Sequence, residues 1–432
     1  MSETLNPHSQ GGLAHNLARM VGRDPKEKHR GATPLELLFD LTFVIAFGQA
    51  SNQLAHSIAE DHAGTGIAAF AFGMFAIVWA WINFTWFASA YDTDDWFYRL
   101  TTMVQMIGVI VLALGLPAVF RSIEEGGAFD NGVMVAGYVI MRIAMVAQWL
   151  RAARQDESRR RTALMYAGCI TLAQIGWIII AVLSLPLAAV LISAPVLYLI
   201  ELGGPVLAER KSSGTPWHPH HIAERYGLLA IIALGEGLFG TIAATTAIIE
   251  RQEWSLDASI VVVAGIGLTF GLWWNYFVLP SGVMLDRYRE RSWVWGYAHI
   301  VLYAAIAAVG AGLHVAAYVI EGEAKISTLG AILSIAAPVA IYTIALFAIY
   351  SFLVDELDRL HIVLAVLVLV VLVVAVVLAA NGVSLGVCLV IVTLAPAVII
   401  VGYETVGHRH EADVLKREAT DFEEETEPMV TE

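Results

Sequence analysis

Charge is what this sequence lacks. Only 15% of its 432 residues are Asp, Glu, Lys or Arg, and 58% are apolar. Soluble domains carry about a quarter charged residues, so a water-exposed globule is excluded. Lysine is rarest: Lys26, Lys28, Lys211, Lys325 and Lys416 are the whole set, and none lies in an apolar run. That excludes a retinal-type Schiff base inside such a run. The two cysteines, Cys169 and Cys388, both sit in apolar runs and give no disulfide framework. No glycine-rich phosphate loop is present, so ATP is not the expected drive. No polar stretch is long enough to be a separate enzyme, no cofactor is expected, and nothing suggests nucleic acid as a partner. Residues 1–33 contain no apolar signal segment and include Arg19, Arg23 and Arg30; they read as a basic tail held in the cytoplasm.

Apolar runs fill the rest. A helix of about 20 residues spans a bilayer, and twelve such runs are expected, at 34–55, 64–90, 99–120, 131–150, 162–185, 186–207, 223–249, 256–279, 294–319, 328–353, 360–380 and 382–402. Two turns are very short, at Ser184-Leu185-Pro186 and at Asn381-Gly382. With the N-terminus inside, the cytoplasmic loops hold Arg151, Arg154, Arg159, Arg160, Arg161, Arg210, Lys211, Arg287, Arg289, Arg291 and Arg359; the external loops hold Arg121, Arg251 and Lys325. This asymmetry puts both ends in the cytoplasm. The net charge of −14 says little about partners, because nine acids against two bases in residues 411–432 carry half of it. Such a tail has almost nothing apolar to bury and is expected to be disordered.

The halves resemble each other. Trp81-Ile82-Asn83 matches Trp273-Trp274-Asn275, and each is followed by a charged loop, through Asp95 and Arg99 in one half and Asp286 and Arg291 in the other. Glu36…Gly48-Gln49 resembles Glu224…Gly235-Glu236. The expected fold is therefore an all-α polytopic membrane protein of about twelve transmembrane helices arranged as two six-helix parallel repeats. Residues 34–207 and 223–402 are the repeats, 208–222 a cytoplasmic linker, and 403–432 the acidic tail. Parallel repeats place a transporter's site at their interface.

Charged residues inside apolar runs persist where something pairs or uses them. Glu36 and Asp40 are four apart and share a helical face with Phe43 and Phe47. Two carboxylates one turn apart disfavour joint ionisation; they hold a proton, hold a cation, or pair with an Arg from another helix. Arg225 and Glu236 are eleven apart, three turns, on one face. Arg225 is the natural partner for Glu36 or Asp40. Glu236 is the deepest acid, and Gly235, Gly237 and Gly240 around it allow close packing or a broken helix. Asn83 and Asn275 need hydrogen-bond partners in hydrocarbon. Asp95 and Arg99 are placed to pair at a helix start, while Asp92 and Asp94 read as solvated charge. Trp79, Trp81, Trp86, Trp96, Trp273 and Trp274 read as an interfacial aromatic belt. His218-Pro219-His220-His221 occupies the loop before the seventh span, without the ligand geometry of a metal site. Arg142, Gln148 and Glu201 add buried polarity with no assigned role.

The runs Pro34-Leu-Glu-Leu-Leu-Phe-Asp-Leu-Thr-Phe-Val-Ile-Ala-Phe-Gly-Gln49 and His221-Ile-Ala-Glu-Arg-Tyr-Gly-Leu-Leu-Ala-Ile-Ile-Ala-Leu-Gly-Glu-Gly-Leu238, with the aromatic stretch from Trp79 to Arg99, resemble the bacterial low temperature requirement protein A family. The resemblance covers about residues 30 to 405. It implies a polytopic inner-membrane protein linked by name to growth in the cold, and no defined activity.

Together these features point to an ion- or proton-coupled secondary transporter or channel-like protein. Glu36, Asp40, Asn83, Arg225, Glu236 and Asn275 are the expected binding residues, and Asp95, Arg99, Asp286 and Arg291 the expected gate. The partners are then the lipid bilayer and an unnamed small solute or ion, with a homo-oligomer compatible. The alternative is a membrane-embedded enzyme, or a lipid-handling or structural protein, supporting growth in the cold.

Overall fold

The computed structural model describes residues 17–25, 27, 30–210, 214–354 and 358–407, except for the side chains of Gln252 and Val406. The expected acidic tail lies outside the described residues from 408 onward, as do Lys26, Lys28 and Lys211.

The described chain is all-helical, and twelve helices are long and apolar enough to cross a membrane. In order the helices are α1 (Pro34–Ala59), α2 (Ala63–Tyr91), α3 (Trp96–Glu125), α4 (Gly132–Gln155), α5 (Arg160–Val182), α6 (Leu187–Arg210), α7 (Pro219–Gln252), α8 (Leu256–Phe277), α10 (Ser292–Glu321), α11 (Thr328–Val354), α12 (Arg359–Ala380) and α13 (Leu385–Gly402), with the seven-residue α9 (Ser281–Arg287) extending the span of α8. Both short turns expected from sequence are present, after α5 and after α12. Ser184 and Gly382 take positive φ there, 46° and 80°.

Local chemistry sets the ends. Thr33-Pro34-Leu35-Glu36 forms a capping box. The Glu36 N–H donates to Thr33 Oγ1 (3.3 Å), and the Thr33 N–H donates to Glu36 Oε2 (2.8 Å). Pro34 occupies the first helical position, where its missing N–H costs nothing. Asp95 caps α3 by accepting from the Tyr98 N–H, and Ser255 caps α8 by accepting from the Ala258 N–H. α10 ends on Gly322 in the left-handed region, φ 73°.

One reading of the sequence is corrected, and of the two alternatives for the glycines of α7 the close-packed one is found. α7 begins at Pro219, so His220 and His221 belong to the helix rather than to the preceding loop. α7 also runs unbroken through Gly235, Gly237 and Gly240. The break falls instead at Pro280, between α8 and α9, where a proline without an N–H ends the helix.

The chain divides into two compact units. One comprises residues up to Ala50 together with Phe72–Tyr226; the other comprises Ser51–Ala71 and the chain from Gly227 onward. In the first, α3 and α4 pack through glycine. A Cβ on Gly137 would lie 2.6 Å from the Gly108 carbonyl oxygen, so only glycine permits that approach. Phe39, Phe43 and Phe84 fill the space beside α1. In the second, a Cβ on Gly310 of α10 would lie 2.6 Å from the Glu236 backbone of α7, and one on Gly312 would meet the Ser334 carbonyl of α11. The outer faces are apolar. Val363, Val366, Val370, Val373 and Val377 of α12, a helix of mean hydropathy 3.7, are all more than half or nearly half exposed. In water such a stripe would be an association surface; in a bilayer it is solvated by lipid.

Candidate functional site

α1 turns one face to lipid and one inward. Leu37, Leu41 and Ile45 are exposed, whereas Glu36, Asp40, Phe43 and Phe47 are fully buried. Arg225, also fully buried, meets both acids. Its Nη2 donates to Asp40 Oδ1 (2.6 Å) and its Nε to Asp40 Oδ2 (3.1 Å), the two-pronged geometry that suits guanidinium and carboxylate. Its Nη1 approaches Glu36 Oε1 to 2.7 Å as an ion pair without hydrogen-bond alignment. The guanidinium lies 5.8 Å from the Trp81 ring centre and 6.0 Å from that of Phe84, within cation–π range.

Four further residues complete the cluster. Trp81 Nε1 donates to Asp40 Oδ1 at 2.6 Å. His221, one turn before Arg225 on α7, places Nε2 3.2 Å from Glu36. Arg30 donates from Nη2 to the Ala88 carbonyl (2.7 Å) and is buried. Asp92, just past α2, is also buried and accepts from the Asp94 N–H (2.9 Å). Burial pushes the Asp92 carboxyl up to about 6, the negative charge of Glu36 adds to this, and Arg30 opposes it. Burial, with the field of Arg23, lowers the Arg30 guanidinium from its ordinary value.

The N-terminal segment lies against the same end of the unit. The Met20 N–H donates to Gln155 Oε1 (2.6 Å), the Gly22 N–H to Asp156 Oδ2 (3.1 Å) and the Arg23 N–H to the Ala90 carbonyl (3.0 Å). His218 Nε2 is 2.8 Å from the Glu27 carbonyl. A segment expected only to be a basic tail is thus hydrogen-bonded to the ends of α2 and α4.

In the second unit, Glu236 is 2% exposed and has the Ser51 hydroxyl as its hydrogen-bond neighbour. Among the described residues no cation lies within ion-pair distance of it. Ser51 in turn donates to the Ala307 carbonyl of α10 (3.1 Å). Asn275 is fully buried, and neither of its amide atoms has a hydrogen-bond partner among the described residues. Asn83 donates back to the Trp79 carbonyl within α2 (2.7 Å), an ordinary intrahelical use of an amide.

The loop residues pair differently from the sequence expectation. Arg99 takes Asp94 with two bonds of 2.8 Å on the surface. Asp95 instead pairs with Arg151 of α4 while capping α3. Burial raises the Asp95 carboxyl, but the bonds from Arg151 and the Tyr98 N–H outweigh it and hold it below the ordinary range. Asp286 lies 3.9 Å from Arg289, and Arg291 donates to the Phe352 and Leu353 carbonyls.

A family model described as Bacterial low temperature requirement A protein (LtrA) matches residues 31–396. The chain belongs to the LtrA family. A curated relative is an uncharacterized protein of Rhizobium meliloti (strain 1021), 27% identical over 316 residues, covering 69% of this chain and 72% of that protein. No solved structure matches. The matched range includes Glu36, Asp40, Trp81, Asp92, His221 and Arg225, while Arg30 falls one residue before it.

Sequence reasoning missed several members of the cluster. His221 was hidden by starting α7 one turn late; its spacing of four from Arg225 was the available signal. Trp81 was read as belt, together with Trp79 and Trp86. All three are buried, donating to Asp40, Glu201 and Tyr226 respectively. Trp96 and Trp273 are exposed, 53% and 38%, as belt residues are. In sequence Asp92 reads as solvated charge, and no local pattern marks it otherwise.

Proposed function

We propose that this LtrA-family protein is an ion- or proton-coupled secondary transporter, or a channel-like relative of one, with Glu36, Asp40 and Arg225 as its buried charged centre. The observation that carries this reading is a charge count. Two fully buried carboxylates share one guanidinium. Adding Arg30 and Asp92 brings one cation and one anion and leaves the balance one negative. An uncompensated charge at membrane depth costs several kcal/mol, so one proton or small cation completes the centre. A group that is stable with the extra positive charge and strained without it is what ion coupling requires. His221 beside Glu36 offers a second seat for a proton.

Glu236 is a second candidate: an acid with a hydroxyl neighbour and no cation is neutralised most simply by a proton. Asn275, a buried amide with open donor and acceptor, suits solute binding, and Asn83 stands at the matching place in the other half. Asp95, Arg99, Asp286 and Arg291 flank span ends, where a gate would act. The proposal includes two parallel six-helix repeats, supported by the Trp81/Asn83 and Trp273/Asn275 correspondence. It also includes a bacterial cytoplasmic membrane with both ends inside, supported by the arginine asymmetry.

The test is flux into proteoliposomes of purified protein, with an internal pH dye and imposed proton, sodium and potassium gradients. The wild type is expected to carry flux under at least one gradient. Asp40→Asn and Glu236→Gln, inserted and monodisperse, are expected to lose it. Undiminished flux in both variants overturns the assignment of the site; an inert wild type under every gradient overturns ion coupling itself.

A further inference from the structure

A second polar cluster in the first unit plays no part in the reading above. Glu201 of α6 is 5% exposed and anchored twice on the same oxygen. Arg142 Nη2 donates to Oε2 at 2.9 Å, and Trp79 Nε1 donates to Oε2 at 2.6 Å. Oε1 receives neither bond. Beside it is a cavity of about 30 Å³ whose walls are almost entirely aromatic and aliphatic. Phe75, Trp79, Trp177 and Tyr198 are part of the wall; Phe75 and Tyr198 have ring centres 4.4 Å apart, and Trp177 and Tyr198 5.4 Å. Tyr138 also lines it, but its hydroxyl is committed to the Ala76 carbonyl.

Asn131 supplies the observation that points to a ligand. It lines the cavity, is 1% exposed, and has no hydrogen-bond partner among the described residues at either Nδ2 or Oδ1. It stands at the cap position of α4, where asparagine ordinarily accepts from the helix N–H groups, yet it makes no such bond. A buried amide left unmatched costs on the order of 1–3 kcal/mol. A side chain that forgoes its cap and is aimed at a cavity is satisfied by what occupies that cavity.

Three constraints select the occupant. The nearby charges are balanced, Arg142 against Glu201, so an added ion would be buried without a counter-charge in a largely apolar space. The donor and acceptor of one amide lie side by side, and their complement is a group presenting an acceptor and a donor on adjacent atoms. The volume equals about two water positions, and a lining rich in aromatic rings favours a planar molecule. We propose that this cavity is a binding site for a small, neutral, planar amide of the size of urea or acetamide. One edge of the amide pairs with Asn131, a remaining N–H is directed to Glu201 Oε1, and its faces lie on the rings. The site is independent of the ion-coupled centre, and its test does not depend on flux.

The experiment is saturation-transfer NMR on the purified full chain in nanodiscs. Urea and acetamide are titrated as probes, and methylammonium serves as a charged control of similar size. Wild-type protein is expected to give saturable binding of urea or acetamide that methylammonium does not displace. Asn131→Leu, near in volume but without donor or acceptor, is expected to weaken binding at least tenfold. Val135→Leu narrows the cavity without touching a polar group and is expected to weaken binding as well, which keeps the test decisive if Asn131→Leu fails to fold. Absence of saturable binding, equal binding to both variants and wild type, or displacement by methylammonium overturns the proposal. An experimental map holding ordered waters on Asn131 at high urea concentration does the same.

Discussion

Removing the Arg225 guanidinium would leave Glu36 and Asp40 buried with Thr33, His221 and Trp81 as their remaining donors. Breaking one side of a buried pair costs about 3–5 kcal/mol, while removing charge from both sides costs much less. Arg225→Gln is therefore expected to lower the unfolding midpoint in detergent sharply, and Arg225→Gln combined with Asp40→Asn to recover most of the loss; additive losses in the double variant would contradict the pairing. Asp92 gives a pH signature. Its folded-state value near 6 lies above the ordinary carboxyl value, so the folded chain binds more protons than the unfolded one between about pH 4 and 6. Its contribution is most favourable below pH 4, is lost as the pH rises through 6, and is flat above. Asp92→Asn keeps the acceptor for the Asp94 N–H and removes the charge, with Arg23, Arg30 and Glu36 left around it. The variant is expected to be more stable by about 1–3 kcal/mol at pH 7.5 and indistinguishable near pH 4, as read by thermal unfolding across pH.

At the level of helices, the three glycines near Glu236 have different surroundings. Gly240 approaches the Gly310 carbonyl of α10, Gly237 meets Thr269 of α8, and Gly235 has nothing within 4 Å of where a side chain would begin. Gly310→Ala would press a methyl into the Glu236 backbone and is expected to cost about 1–3 kcal/mol. Gly235→Ala is expected to be neutral or stabilising by up to about 1 kcal/mol; equal effects of the two in a thermal-shift assay would refute the packing described. Much of this level was legible in the sequence. Twelve apolar runs gave twelve spans because length and hydropathy alone decide what can cross a bilayer. The placement of Glu36 and Asp40 on one face of α1 followed from period alone. The partners Trp81, Asp92 and Arg30 did not follow, because they come from other elements and their use depends on tertiary packing. Trp79 and Trp81 read as belt residues because an indole near a span end looks the same in sequence whether its N–H meets a headgroup or a buried carboxylate.

For the whole molecule, sidedness is open to direct measurement. Cys169 is half-buried and Cys388 buried, so replacing both with alanine gives a clean background. A cysteine at Gly64, which has open space around it, is expected to react with a membrane-impermeant maleimide added outside intact cells. One at Asp358 is expected to react only after permeabilisation. The opposite pattern would reverse the orientation proposed from the arginines and, with it, the side from which the N-terminal segment acts.

The pairing of α1 with Arg225 also bears on how the chain is made. Glu36 and Asp40 leave the ribosome about 185 residues before Arg225, an interval of roughly 10–40 s at ordinary elongation rates. α1 has the lowest mean hydropathy of the twelve spans, 1.2, and during that interval its two acids lack the cation they finally share. Its first placement in the bilayer is thus provisional, and α7 supplies the group that secures it. A nascent chain stalled before residue 219 is expected to lose α1 to extraction and proteolysis, and one released after α7 to retain it.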